Sequence, residues 1–241
     1  MEKLAERNYQ IIHFNKTQLA KLTSGISETL KSSTKTVTPG GNAFYRLIKR
    51  TMDLILSLSA LLVLSPLFII TTIIIFIDDP GNPFFVQYRL TENGKAFPMI
   101  KFRSMYLDAE ERFEKLQKHN ETDGLAFKME NDPRVTKIGK FIRKTSIDEL
   151  PQLINIICGD MSIVSPRPPL PREVVGYTPY QINRLTVKGG LTCYCQCSGR
   201  SDMPFEEWVD SDIEYIKTRS LGVDVKIIVK TALAVLKGKN K

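Results

Sequence analysis

The hydrophobic pattern is dominated by one run, LILSLSALLVLSPLFIITTIIIFI, from Leu54 to Ile77, which contains no charged residue. A helix crossing a bilayer needs about 20 such residues, so its length allows membrane insertion. It starts too late for a secretory signal, and no small-residue cleavage site follows. A buried core helix is the competing reading. Ser65 and Pro66 fall near the midpoint. Proline removes a backbone hydrogen bond and clashes with the preceding turn, which predicts a break or kink there. The Ser65 hydroxyl is a candidate partner for the freed carbonyl. Two topologies fit: a kinked span, or a re-entrant helix-break-helix that returns to the side it left. Before the run, Arg46, Lys49 and Arg50 of FYRLIKR favour a cytoplasmic flank. After it come many basic residues and no second apolar stretch. If that remainder acts on nucleotides it too is cytoplasmic, and only the re-entrant form satisfies both flanks.

Elsewhere the pattern changes period. PFFVQYRL and KAFPMIKFRSM flank the turn signal TENG, which predicts a β-hairpin. Alternation puts Lys101 and Arg103 on one face, with Arg89 on the facing strand; such a face is solvated or lines an anion site. YLDAEERFEKLQKHN reads as a helix supported by Glu111–Lys115 and Glu114–Lys118 pairs. ELPQLINIIC is a second helix, with Leu150, Leu153, Ile154 and Ile157 at helical spacing and Gly159 ending it. The proline-dense SPRPPLPREVVGYTP is expected to be a stiff, irregular segment carrying Arg167 and Arg172. In LGVDVKIIVKTALAVLKGKNK, Lys226, Lys230 and Lys237 form a stripe opposite Val225, Ile228, Ala232, Val235 and Leu236. That suits a helix in the membrane interface or on a domain surface.

Residues 1–43 are polar and reach Pro39-Gly40-Gly41, which reads as an extension with some helical tendency and a flexible linker. Residues 44–79 hold the basic flank and apolar run, and 80–241 the remainder. The class expected is α+β: a small, mostly helical domain with a short hairpin, a membrane-embedded re-entrant helix broken at Ser65-Pro66, and interfacial amphipathic helices.

The charge balance is +8, from 34 Lys and Arg against 26 Asp and Glu, which favours an anionic partner. No nucleic-acid-binding module or aromatic-basic interleaving is present. Cys193, Cys195 and Cys197 lack zinc-knuckle spacing, and His13 and His119 are distant in sequence. Strand alternation would put the three thiols on one face, for packing or membrane contact. Nothing suggests a disulfide scaffold, so a reducing setting is expected.

RKTSIDELPQ, residues 143–152, places Asp148 and Glu149 side by side after a basic stretch. As structure, Asp148 is a helix N-cap, Glu149 suits the first turn, and Pro151 costs no needed N–H. As chemistry, adjacent carboxylates can supply a nucleophile and metal ligands, while a helix start favours bound anions. The two roles are compatible.

DPRVTKIGKFIRKTSIDELPQLINIICGDMSIVSPRP resembles the core signature of the bacterial sugar transferases, monotopic phosphoglycosyl transferases that begin glycan assembly on polyprenyl phosphate. The resemblance runs from about Phe44 to the C-terminus, through Ser65-Pro66, KFRSM at 101–105, GDMS at 159–162, PRP at 166–168 and SGR at 198–200. It implies that Asp148 attacks the sugar-bearing phosphorus of a UDP-sugar and expels UMP. Polyprenyl (undecaprenyl) phosphate then takes up the aspartyl-bound phosphosugar, with Glu149 in the same dyad and Mg²⁺ held at Asp148 and Glu149. It also implies a place on the cytoplasmic face of the bacterial inner membrane, at the first membrane step of exopolysaccharide, capsule or glycoprotein glycan synthesis. Phosphate-binding candidates are Arg143, Arg167 beside Pro168, Arg200 after Gln196, and the hairpin cations Lys101, Arg103 and Arg89. The pattern departs from the family at Ser165, where glycine is common, and in VKGGLTCYCQCSGR, where Gly189 takes a proline position and cysteines enter. Membrane lipid, a second copy of the chain and downstream glycosyltransferases are compatible partners. The rival reading is a non-catalytic membrane scaffold binding anionic lipid or partner glycosyltransferases. It gives no reason for the acid pair, PRP and SGR together.

Overall fold

A computed structural model of the chain describes residues 16–32, 36–109, 111–112, 129, 132–197 and 203–236. The helix expected around residues 106–120 lies largely outside them, as do Arg200 and Lys237. The described elements are helices and short strands, as an α+β chain requires.

Helices α1 (Lys16–Ser32), α2 (Ala43–Val63) and α3 (Ser65–Asp78) come first. The apolar run is divided between α2 and α3, which meet at Leu64 with a bend of 61°. Pro66 stands in the first turn of α3, where its missing N–H breaks nothing. The Ser65 hydroxyl donates to the Leu62 carbonyl at 2.8 Å, the local satisfaction expected beside a helix break. Among the described residues no single helix is long and apolar enough to cross a membrane, but the bent pair reaches that length together.

The two faces of α2 differ sharply. Tyr45, Lys49, Asp53 and Ser57 recur every fourth residue and are buried against the rest of the protein. Ile55, Leu58, Leu62 and Val63 are exposed, and α3 continues that surface with Ile69, Ile73, Phe76 and Ile77. An apolar surface this continuous marks contact with lipid or another apolar partner. Lys49 and Arg50, expected as topology charges, are engaged within the protein. Lys49 Nζ lies 2.9 Å from Asp224, and Arg50 donates to the Ile156 and Ile157 carbonyls at 2.6 and 2.9 Å.

Strands β1 (Phe84–Leu90) and β2 (Ala96–Phe102) form the expected antiparallel hairpin, with Phe84 opposite Phe102 and Leu90 opposite Ala96. Its turn takes left-handed Asn93 and Gly94, at φ 58° and 72°. Phe102 stacks with Phe84, meets Phe68 at a tilt, and shares a core cluster with Ile75 and Ile142, so α3 and the hairpin pack on α4 (Lys137–Lys144). Thr136 caps α4 by accepting from Gly139 N at 2.8 Å. Gly139 lies so close to the Ser104 carbonyl that a methyl group would not fit.

Helix α5 (Gln152–Cys158) ends at left-handed Gly159, as expected, and leads into β3 (Met161–Val164). The proline-dense segment is more regular than its composition implies. It holds one one-turn helix, α6 (Pro171–Val174), and its last residue opens a second, α7 (Pro179–Ile182), so that each begins with a proline. Strand β4 (Gly189–Thr192) then pairs parallel to β3. Helices α8 (Tyr194–Cys197), α9 (Phe205–Thr218) and α10 (Leu221–Leu236) complete the described chain. Cys193 and Cys197 bound one helical turn rather than alternating along a strand, and Cys193 Sγ lies 3.7 Å from Gln196 Oε1.

Asp224 of α10 is fully buried, accepting from Tyr45 at 2.9 Å, Lys49 at 2.9 Å and Tyr215 at 2.8 Å. Ile227 of α10 packs into the core, while Val225, Val229 and Leu233 form an exposed apolar row beside exposed Lys226 and Lys230. The amphipathic helix thus has both a domain face and a free apolar face, although Val225 lies on the exposed side and Ile228 is half-buried.

The N-terminal extension is packed where described. Ile26 is buried with Leu90, Val174, Tyr177 and Leu185, and Thr23 donates to Gly94 O at 2.8 Å. The expected flexible linker is bonded instead: Val37 N reaches Asn183 Oδ1 at 2.7 Å and Gly40 N reaches Ile216 O at 2.8 Å.

Candidate active site

The acid pair stands on a 3₁₀ turn, Ile147–Glu149, between α4 and α5. Ser146 enters that turn in the left-handed region, at φ 57°, which L-residues seldom adopt outside tight turns. The helix begins at Gln152 with Pro151 as its cap residue, so the expected N-cap role of Asp148 is not found. Turn bonds from Glu149 N to Ser146 O and from Leu150 N to Ile147 O fold the acids directly into the approach to α5.

Asp148 is buried, 9% exposed, and Glu149 is half-buried. Lys101 Nζ lies 2.7 Å from Glu149 Oε1. A cleft forms where β2, the acid turn, the PRP segment and β4 meet, with Lys101, Glu149, Arg167, Pro168 and Gln196 among its walls. Five expected site residues, distant in sequence, are thereby brought together. Its free volume is about 10 Å³, close to what one water molecule occupies. A larger hollow of about 540 Å³ lies between α1 and residues 36–39. It lacks carboxylates, so chemistry rather than size selects the smaller cleft.

The charges set the two acids apart. Burial pushes the Asp148 carboxyl up to about 6; Lys101 opposes this, Glu149 adds to it, and Arg143 and Arg167 oppose it. Burial acts on Glu149 in the same sense, but Lys101 and Arg167, with a smaller contribution from Arg89, outweigh it and hold Glu149 below the usual carboxylate range. Burial also pushes the Lys101 ammonium down, against the attraction of Glu149. One carboxylate is therefore more basic than usual and its neighbour more acidic, a division that suits separate chemical roles.

Not every expected cation points at the acids. Arg103 binds the Asp79 carboxylate at 2.5 Å and the Asp79 carbonyl, because β2 ends at Phe102 and the alternation lapses there. Arg89 is buried, donating to Gln87 at 2.9 Å and to the Pro168 carbonyl at 3.1 Å. It braces the PRP segment rather than offering a free guanidinium. Arg143 is exposed at the end of α4, and its charge reaches Asp148. Arg200 lies outside the described residues.

The PRP segment is clamped from both sides. Leu90 N donates to Pro169 O at 3.0 Å, Gly190 N to Pro166 O at 2.7 Å, and Ser165 N to Thr192 O at 3.0 Å. Gly190 runs so close to the Ser165 backbone that no side chain fits, and Gly189 packs against Pro168. These contacts fix Arg167 beside the acids. The sequence reading missed Gln152, which is 3% exposed and lines the cleft. Its position three residues after Glu149, one turn on, was the available signal. It also missed the ion pair of Asp132 with Arg134 at 2.6 Å, which orders the approach to α4.

Glu149 lines this cleft, buried Asp148 precedes it on the same turn, and the charges of Lys101 and Arg167 act on both acids. Residues 44–238 match the family model described as bacterial sugar transferase, and the chain belongs to that family. It is 50% identical over 161 residues to galactosyl transferase CpsE of Streptococcus agalactiae, covering 66% of this chain and 36% of that protein. Identity is 40% over 199 residues with an undecaprenyl-phosphate galactose phosphotransferase of Salmonella typhimurium, covering 80% of this chain and 41% of the relative. With the exopolysaccharide production protein ExoY of Rhizobium meliloti it is 39% over 191 residues, covering 78% of this chain and 84% of ExoY. The chain thus spans less than half the length of the first two relatives and most of the third.

Proposed function

We propose that this protein transfers a sugar-1-phosphate from a UDP-sugar to polyprenyl phosphate, releasing UMP, at the cytoplasmic surface of the bacterial inner membrane. The observation that carries this reading is the buried Asp148, raised to about 6, next to a Glu149 held ionised by Lys101 and Arg167. Relatives named for undecaprenyl-phosphate galactose phosphotransfer and UDP-galactose–lipid carrier transfer support it.

In the first displacement, an Asp148 carboxylate oxygen bonds to the sugar-bearing phosphorus and the bond to the UMP oxygen breaks. UMP leaves with that electron pair, and the phosphosugar remains as an acyl phosphate on Asp148. In the second, a phosphate oxygen of the lipid bonds to the same phosphorus, Asp148 is released, and the product is a polyprenyl diphosphosugar. Covalent catalysis suits two unlike substrates because each meets the same carboxylate in turn. Arg167 and Lys101 offset the charge of a phosphoryl group approaching an anionic nucleophile. A carboxylate titrating near 6 is still ionised at neutral pH and more basic than an ordinary aspartate.

The donor set fits Mg²⁺. Asp148 and Glu149 are adjacent on one turn, and Mg²⁺ typically takes one or two carboxylates together with substrate phosphate oxygens. Bound there, Mg²⁺ would neutralise phosphate charge.

The bent α2–α3 pair would enter and leave the bilayer on one face, with its polar stripe docked on the catalytic domain and its apolar side in lipid. The free apolar row of α10 would rest in the same interface. The test is UMP release from a panel of UDP-sugars with undecaprenyl phosphate and Mg²⁺. Release that needs both acceptor lipid and Asp148 in multiple-turnover conditions supports the reading; no release from any donor overturns it.

A further inference from the structure

We infer that Asn155 is a positioning residue that fixes the spacing between Lys101 and the acid pair for the phosphoglycosyl transfer proposed above. Strand β2 pairs with β1 along one edge, so alternate backbone groups of β2 point away from the hairpin. On that outer edge lie the Pro98 carbonyl and the Ile100 N–H. Proline suits the position because it has no N–H to leave unpaired. Asn155 of α5, 3% exposed, accepts from Ile100 N at 3.0 Å and donates to Pro98 O at 2.8 Å. Its carboxamide takes the place that a peptide group of a neighbouring strand would hold. No hydroxyl or carboxylate of similar size offers a donor and an acceptor in this fixed arrangement.

This contact joins the two halves of the cleft. Ile100 immediately precedes Lys101, whose Nζ reaches Glu149 at 2.7 Å. Asn155 stands on the helix that continues from the acid turn through Leu153 N to Leu150 O and Ile154 N to Pro151 O. The far end of that helix is held by Arg50, which donates to the Ile156 and Ile157 carbonyls at 2.6 and 2.9 Å. A helix fixed at its end by Arg50 and sideways by Asn155 cannot slide along β2, so the lysine and the acids keep one register.

The charged groups acting on Asp148 are Lys101 from β2, Glu149 from its own turn, Arg143 from α4 and Arg167 from the PRP segment. Asn155 reaches the strand that carries the first of these. If β2 drifts, Lys101 leaves its place 2.7 Å from Glu149 and the transferring phosphoryl group loses a fixed cation.

The test compares wild type with Asn155→Leu and Asn155→Asp in detergent, measuring kcat and KM for UMP release and amide hydrogen exchange at Ile100. For Asn155→Leu we expect faster exchange at Ile100 and kcat lower by about 10- to 100-fold for a misplacement near 1 Å, with KM for the UDP-sugar little changed. Asn155→Asp keeps an acceptor for Ile100 and loses the amide donor to Pro98, so its exchange and its kcat should lie between the two. Should the leucine variant fail to fold, the aspartate variant carries the test. A folded variant with wild-type kcat overturns the inference, as does a loss of kcat with Ile100 exchange unchanged. Wild-type protein that releases no UMP removes both the proposed reaction and this role; wild-type turnover with an indifferent Asn155 removes this role only.

Discussion

Replacing Asp148 with asparagine should make the folded protein more stable while removing its nucleophile. The carboxyl rises from 3.8 to about 6 on folding, chiefly through burial. A group whose folded value exceeds its unfolded value favours the folded state when protonated. Its contribution is greatest below the unfolded value and is lost as pH climbs through the folded one. At neutral pH the buried anion therefore opposes folding by about 3 kcal/mol, taking about 1.4 kcal/mol per pH unit over the 3.8-to-6 interval. The neutral amide of Asp148→Asn escapes that cost. The gain should be about 3 kcal/mol above pH 7 and about half of that at pH 5, where the native carboxyl is mostly protonated. For a chain of this size 3 kcal/mol corresponds to a rise in Tm of roughly 6–12 °C. Thermal unfolding in detergent between pH 5 and 8, with chelator present so that no cation neutralises the acids, measures it. A variant no more stable than wild type at pH 7.5, or a gain of the same size at every pH, would rule out the burial cost assigned to the Asp148 anion.

Lys101→Met removes the cation that pairs with Glu149 at 2.7 Å, and should lower kcat/KM about 10²-fold or more while moving the acid limb of the rate profile to higher pH. Initial rates across pH check this; an unmoved limb counts against the charge assignment. Asp224→Asn should destabilise by about 3–5 kcal/mol, because Lys49 would be left without its buried counter-charge. Chemical denaturation or limited proteolysis in detergent reads that loss, and a change under 1 kcal/mol would contradict a stabilising Lys49–Asp224 pair. Tags at the two chain ends should both be digested by protease in inside-out membrane vesicles and protected in intact spheroplasts. Tags digested from opposite sides would replace the re-entrant form with a kinked span.

Local features were legible where a short stretch determines the outcome. The hairpin around TENG, the break at Ser65-Pro66 with its hydroxyl bond to Leu62, and the Gly159 helix end each follow from neighbouring residues. The adjacency of Asp148 and Glu149 needs no fold to be seen. What failed depends on partners distant along the chain. Alternation placed Arg103 with Lys101, but the strand stops at Phe102 and Asp79, 24 residues away, captures the guanidinium. Arg89 is drawn to Pro168, 79 residues on. The N-cap reading of Asp148 missed a 3₁₀ turn that moves the helix start to Gln152. The parallel β3–β4 pair offers four-residue strands, one of them GGLT, too short and glycine-rich to carry a period. The packing of Ile26 was hidden because residues 1–40 are polar in bulk, and one apolar row of α1 suffices to dock it.

In the proposed reaction Asp148 carries the sugar phosphate between donor and lipid. Incubating the purified protein with Mg²⁺ and its UDP-sugar, without acceptor, and mapping the intact adduct by mass spectrometry tests it most directly. A phosphosugar is expected on the peptide containing Asp148, absent from Asp148→Asn and discharged when undecaprenyl phosphate is added. A modification on another residue, or unimpaired transfer by the asparagine variant, would contradict it.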